Sequence, residues 1–220
     1  YGCATFTQRA DLVISAVERY LKPFLVGKYA DRIDDTWQAC YNSSYWRNGP
    51  VLNNAISGVD LALWDIKGRQ ARLPVYQLLG GKCREAAVCY RHASGAEFTD
   101  VIQSARTFME DGVRHIRVQV GVPGMSGYGS GGRIQAFGKM HGDSVFEPAI
   151  YIRRILSLFE ECRSQLGEEV ELLHDVHERI TPTQAIQLCK DVERFRLFFL
   201  EDPVSPEDIA YFRLIRRHST

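Results

Sequence analysis

The sequence predicts an α/β protein in which parallel strands form a barrel-type sheet behind a helical region at residues 1–81. Three observations carry this. Strand-like and helix-like segments alternate about four times after residue 81 with no hairpin signal, the pattern of parallel strands joined by right-handed crossovers. The run LFFL at 197–200 suits a strand covered on both faces. Polar residues fall at strand ends, where a barrel places its function: His92, Asp175, His177, and Glu201 with Asp202, while Arg117 lies within its strand. A doubly wound sheet is the competing architecture. It loses its best signature, because no GxGxxG follows the first strand.

The elements follow in order. Residues 11–26 carry apolar side chains at helical spacing, and Pro23 ends or kinks that helix. Residues 31–44 read as a second helix capped by Asp31. SSYWRNGP is a turn with Gly49-Pro50. Residues 51–70 form a third helix, whose Ala, Gly and Ser suggest close packing on a neighbour. LPVYQLLGG is a short helix closed by Gly80 and Gly81. AAVCYRHA (86–93) reads as a buried strand, 98–111 as a helix ending at Asp111-Gly112, and HIRVQV (115–120) as a second strand. A Gly-rich loop follows. Residues 149–166 are helical, 170–176 form a third strand, and Thr181 caps the next helix. RLFFLEDP holds a fourth strand, and SPEDIAYFRLIRRHS begins another helix.

Composition excludes several function classes. Lys+Arg 27 balances Asp+Glu 27, so nothing points to nucleic acid or an anionic membrane. The basic cluster at the C-terminus reads as a solvated helix end. The six cysteines, Cys3, Cys40, Cys83, Cys89, Cys162 and Cys189, form no CxxC pair and fit a reducing cytoplasm. No apolar run approaches the ~20 residues of a membrane span, and no signal peptide is present. With no initiator Met, the chain reads as truncated at both ends.

The stretch ELLHDVHERI (171–180) raises the chemical question. Side chains alternate along a strand, so Leu173, Asp175 and His177 share one face if the strand persists, and His174 and Val176 take the other. Glu201 ends the next strand. Two carboxylates on adjacent parallel strands approach only if something neutralises them, and Mg²⁺ prefers such oxygens. The competing reading pairs them with Arg or Lys inside the barrel. His177, with an unperturbed pKa of about 6.5, is a candidate acid or base, or a histidine packed between loops. His174 and Glu178 are assigned no chemistry. Tyr128 lies between glycines after the second strand. A tyrosine titrates at about 10 and is a poor base unless a cation favours phenolate, which Arg117 could do. An exposed loop tyrosine is the alternative. GYGSGGR lacks the GK[ST] ending of a P-loop.

The stretches YWRNGPVLNNAISGVDLALWDIKGRQARLPVYQLLGG, CYRHASG, IRVQVGVPGMSGYG, LLHDVHERITP and FFLEDPVSPE run nearly the length of the chain in order. They resemble the enolase superfamily (mandelate racemase/muconate lactonizing enzyme-like) and, within it, the mannonate dehydratase group of acid-sugar dehydratases. The resemblance implies an incomplete (β/α) TIM-type barrel preceded by a mostly helical part of an α+β capping domain. Residues 1–85 are then part of the capping domain and 86–220 the first half of a (β/α)7β-type barrel. It also implies a Mg²⁺ site with Asp175 as first and Glu201 as second ligand, the third being a Glu on a strand after residue 220. Tyr128, assisted by Arg117, matches the base that takes the proton next to the substrate carboxylate. His177 matches the acid that protonates the departing hydroxyl, and His92 a substrate contact. Thr7 stands where the pattern has a substrate-binding Asn, which leaves the sugar open. The function implied is Mg²⁺-dependent dehydration of D-mannonate or a related aldonate, by a homo-oligomer in which residues 31–50 could be contact surface. A catalytically weak regulatory relative and sugar-acid epimerisation are the alternatives, and this segment alone is expected to be inactive.

Overall fold

A computed structural model describes residues 1–7, 9–47, 49–123 and 146–219. The chain divides into two compact units that meet near residue 86 in the sequence.

The first unit is helical. Helix α1 (Ala10–Ala16) runs into a π-turn over Val17–Leu21 and then α2 (Lys22–Leu25). Pro23 accounts for the irregularity: it has no N–H to donate, and its ring crowds the preceding turn. Helix α3 (Ile33–Asn42) starts later than the pattern suggests. Arg32, not Asp31, occupies the capping position, and no side chain caps it. Helix α4 (Pro50–Ala71) begins as Gly49-Pro50 predicts. Proline at the first helical position gives up only an N–H that has no intrahelical partner. The small residues of α4 serve close packing: a Cβ added at Gly58 would stand 2.3 Å from the Ala4 Cβ, so the N-terminal segment crosses the helix there. Helix α5 (Val75–Leu78) follows. Val13, Ala16, Leu21, Cys40, Ala55 and Ile56 form the buried core of this unit.

In the second unit β1 (Arg91–Gly95), α6 (Phe98–Glu110), β2 (His115–Val120), α7 (Pro148–Leu166), β3 (Glu171–Asp175), α8 (Pro182–Val192), β4 (Phe199–Glu201) and α9 (Ile209–His218) follow in turn. The four strands are all parallel, in the order β1-β2-β3-β4. Sequential order with helical crossovers is the start of a barrel, as the alternation predicts. The expected first strand at 86–93 is shifted. Residues 86–90 are exposed, and β1 begins only where Arg91 meets its partner Ile116. Thr181 caps α8 as expected: its hydroxyl accepts from the Gln184 N–H while Gln184 returns a bond to the Thr181 N–H.

Register sorts the side chains. Ala93, Ile116, Val118, Leu172, His174 and Leu200 share the face that packs on α6, α7 and α8. His92, Arg117, Leu173, Asp175, Phe199 and Glu201 share the other.

Candidate active site

The second face holds the candidate chemistry. Arg117 is its hub. Its Nη1 donates to Asp175 Oδ2 at 2.6 Å and stands 3.6 Å from Glu201 Oε2. Its Nη2 lies 3.1 Å from His92 Nδ1. A guanidinium only donates, so His92 Nδ1 accepts and its proton sits on Nε2. Burial and the Arg117 charge hold His92 below the ordinary histidine range. Its ring stacks on Tyr90 at 5.3 Å, and Tyr90 sets its edge against Phe199. The predicted residues of β1, β2, β3 and β4 therefore meet in one cluster.

Asp175 is 4% exposed and the last residue of β3. Its Oδ1 accepts the His177 N–H at 3.1 Å, and its Oδ2 also contacts His177 Nε2. Gln119 Nε2 donates to its carbonyl at 3.2 Å. Burial pushes the Asp175 carboxyl up, while Arg117 and the His177 N–H pull it down. The 2.6 Å bond to a guanidinium argues for the ionised form.

The strand does not persist to His177, so alternation does not bring that residue to the site. His177 and Glu178 both take left-handed backbone, φ 57 and φ 59, and the turn folds the imidazole back onto Asp175. Burial, Arg179 and Arg117 pull His177 down to about 4, so it rests neutral at pH 7.

Both sequence readings of the carboxylate pair meet here. Asp175 and Glu201 are register partners on adjacent strands, and an arginine stands between them. Among the described residues the buried Glu201 Oε2 accepts no hydrogen bond and the buried Arg117 Nε has no hydrogen-bond partner. Two carboxylates that share a guanidinium, one with a buried oxygen that accepts no hydrogen bond among the described residues, have the chemistry a hard divalent ion prefers. They are two carboxylates only. Among the described residues no three His, Cys, Asp or Glu side chains form a set that could hold a metal. Tyr128 lies outside the described residues. Thr7 is exposed in the first unit.

On the opposite face His174 is fully buried. Its Nδ1 donates to the Val118 carbonyl at 2.8 Å and its Nε2 accepts from the Tyr151 hydroxyl at 2.8 Å. The sequence assigns His174 no chemistry, and the structure adds that it continues the β2–β3 connection after the paired register ends at Leu173.

Comparison with known proteins adds identity. Residues 1–80 match the mandelate racemase / muconate lactonizing enzyme N-terminal domain, and residues 100–220 match the enolase C-terminal domain-like family. The chain is 48% identical to a D-galactonate dehydratase family member of Pantoea ananatis, covering 100% of this chain and 56% of that protein. It is 47% identical to a D-mannonate dehydratase of a Caulobacter species, again covering 100% and 56%. A crystal structure of an enolase from Pantoea ananatis with bound D-gluconate and Mg superposes with a TM-score of 0.86 at 48% identity, over 100% of this chain and 56% of that one. The chain thus spans a little over half the length of these relatives.

Proposed function

The chain belongs to the enolase superfamily, in its dehydratase group, and on that premise we propose that the whole protein is a Mg²⁺-dependent acid-sugar dehydratase acting on D-mannonate or a related aldonate. The observation that carries the reading is the carboxylate pair: Asp175 and Glu201 side by side, sharing Arg117, with a buried Glu201 oxygen that accepts no hydrogen bond among the described residues. Similar proteins are named as dehydratases of galactonate or mannonate families, and one similar structure holds D-gluconate and Mg.

In this reading Asp175 and Glu201 hold the ion, and a third carboxylate comes from a part of the protein outside this segment. Bound Mg²⁺ supplies Lewis-acid stabilisation of the charge that builds on a carboxylate whose α proton is leaving. Tyr128 takes that proton, and Arg117, whose Nε has no other partner among the described residues, favours the phenolate. His177 gives a proton to the departing hydroxyl. Because it rests neutral, this role requires substrate negative charge to raise its pKa before it can deliver. His92 and Thr7 contact the substrate. Thr7 offers a hydroxyl where an amide would make different bonds to a polyol, so it bears on sugar choice. A homo-oligomer, as the family resemblance implies, and a cytoplasmic location, which six free cysteines suit, complete the proposal; no helix among the described residues is long and apolar enough to cross a membrane.

The test is a panel of aldonic acids incubated with the full-length protein and Mg²⁺. A 2-keto-3-deoxy product from at least one is expected. No such product from any acid overturns the reading, and deuterium incorporated at C2 of recovered substrate without dehydration reassigns it to epimerisation.

A further inference from the structure

Helix α7 carries two arginines that end in backbone carbonyls. Arg163 donates through Nε to Phe195 O at 2.8 Å, through Nη1 to Gly167 O at 3.0 Å and Val170 O at 2.8 Å, and through Nη2 to Arg196 O at 3.1 Å. Those acceptors precede β3 and β4, at the end of the sheet where no candidate chemistry lies. Arg154 sits nine residues earlier, ~13 Å along the helix. Its Nε donates to Gly121 O at 2.6 Å, and its Nη2 donates to Ala96 O at 3.0 Å and to Glu97 Oε2 at 3.1 Å. Its guanidinium also lies over the Phe98 ring at 5.2 Å.

These acceptors lie just past the C-terminal ends of β1 and β2, the strands that carry His92 and Arg117. Gly121 is also tied to β1 by its N–H, which donates to Gly95 O at 2.8 Å. The junction is tight: a Cβ at Gly121 would meet Ala96 O at 3.3 Å. One guanidinium therefore joins the turn after β1 to the point where the chain leaves β2. Glu97 is in turn held by the N-terminal bonds of α6, where it forms a capping box with Asp100.

We propose that Arg154 is a positioning residue for the reaction: by tying the turn after β1 to the exit of β2 it holds in place the strand ends that carry His92 and Arg117. This rests on the assignment of His92 and Arg117 to the reacting site. Arg163 provides an internal control, since it uses the same chemistry on the same helix at the other end of the sheet. Small misplacements of reacting groups cost large factors in rate, so the two arginines should differ in what their loss does.

The experiment compares Arg154→Gln, Arg154→Lys and Arg163→Gln in the full-length protein. It reads turnover, Mg²⁺ affinity, thermal midpoint and amide hydrogen exchange by peptide. Arg154→Gln is expected to lower kcat about 10- to 100-fold with Mg²⁺ affinity within about twofold of wild type. Exchange should rise in the peptide covering 118–123 only in that variant. Arg154→Lys, which reaches one carbonyl but not the fork of acceptors, should recover part of the loss. Arg163→Gln should lower the midpoint at least as much, raise exchange around 167–170 and 195–198, and leave kcat within about twofold below the midpoint. Equal kcat effects from the two Gln variants overturn the proposal. So does a turnover loss without the selective exchange at 118–123, or that exchange without a turnover loss. If the wild type dehydrates no aldonate, the functional reading fails by itself, and exchange at 118–123 then decides whether Arg154 holds that junction.

Discussion

The two faces of the same strands handle buried polar groups in opposite ways. On the helix-packed face, His174 has both ring nitrogens bonded, to Val118 O and to the Tyr151 hydroxyl, among Phe159 and other fully buried neighbours. On the other face, Arg117 bonds Asp175 and His92 and reaches toward Glu201, yet its Nε and Glu201 Oε2 make no hydrogen bond among the described residues. A saturated polar network fixes a fold, because every desolvated group has been repaid by a partner. An under-saturated one holds charge ready for a partner that comes from outside. Asp175 and His174 are neighbours in sequence, so the pleat alone separates structure from chemistry.

The comparison breaks most visibly at Glu201. Its Oε2 accepts no hydrogen bond among the described residues, Arg117 stands 3.6 Å away and the side chain is one-third exposed, so Glu201→Gln should leave unfolding free energy within ~1 kcal/mol. The same change should cut dehydration by about 10³-fold if this carboxylate supports a charged transition state. Steady-state kinetics beside urea unfolding reads both, and a large stability loss with retained turnover would reverse the roles of the two faces.

His174→Leu should do the opposite. It strands the Tyr151 hydroxyl and the Val118 carbonyl in the core, at a cost of ~2–4 kcal/mol. Turnover well below the melting transition should change little, provided the β3 end keeps its place. Urea unfolding and initial rates at low temperature check this.

Acid should sharpen the same distinction. Burial holds folded His174 near 4 against an unfolded value of about 6.5, so between those values the unfolded chain binds the extra proton. His174 stability is therefore present above about pH 6.5 and is lost as pH falls toward 4, by ~3 kcal/mol in all. Unfolding free energy of the wild type should fall more steeply over that window than that of His174→Leu, and parallel curves would contradict it. Tyr151→Phe, the smallest change, removes one bond to His174 Nε2 and should cost ~1 kcal/mol by urea unfolding.

Much of this was legible in the sequence. The strand and helix alternation placed the sheet, period-two alternation put Asp175 and His174 on opposite faces, and Gly49-Pro50 and Thr181 marked real helix starts. Where a local pattern needs only its own residues, it can be read. The failures share a cause. β1 starts at Arg91 because pairing with β2 starts there, which no local run of AAVCYRHA reveals. His177 reaches Asp175 through a left-handed turn that alternation does not encode. Arg154 and Arg163 bind carbonyls, and every residue offers a carbonyl, so no side-chain motif announces them. The signal available was only three arginines, Arg153, Arg154 and Arg163, on one helix between strand ends.

On the proposed function, the under-saturated face is a cation site built on Asp175 and Glu201. The most direct measurement is calorimetric titration of Mg²⁺ into the metal-stripped full-length protein and into Glu201→Gln. One Mg²⁺ bound per chain is expected for the wild type, with affinity reduced about tenfold or more in Glu201→Gln. Equal Mg²⁺ affinity in the two proteins would contradict it and leave the carboxylates as partners of Arg117 alone.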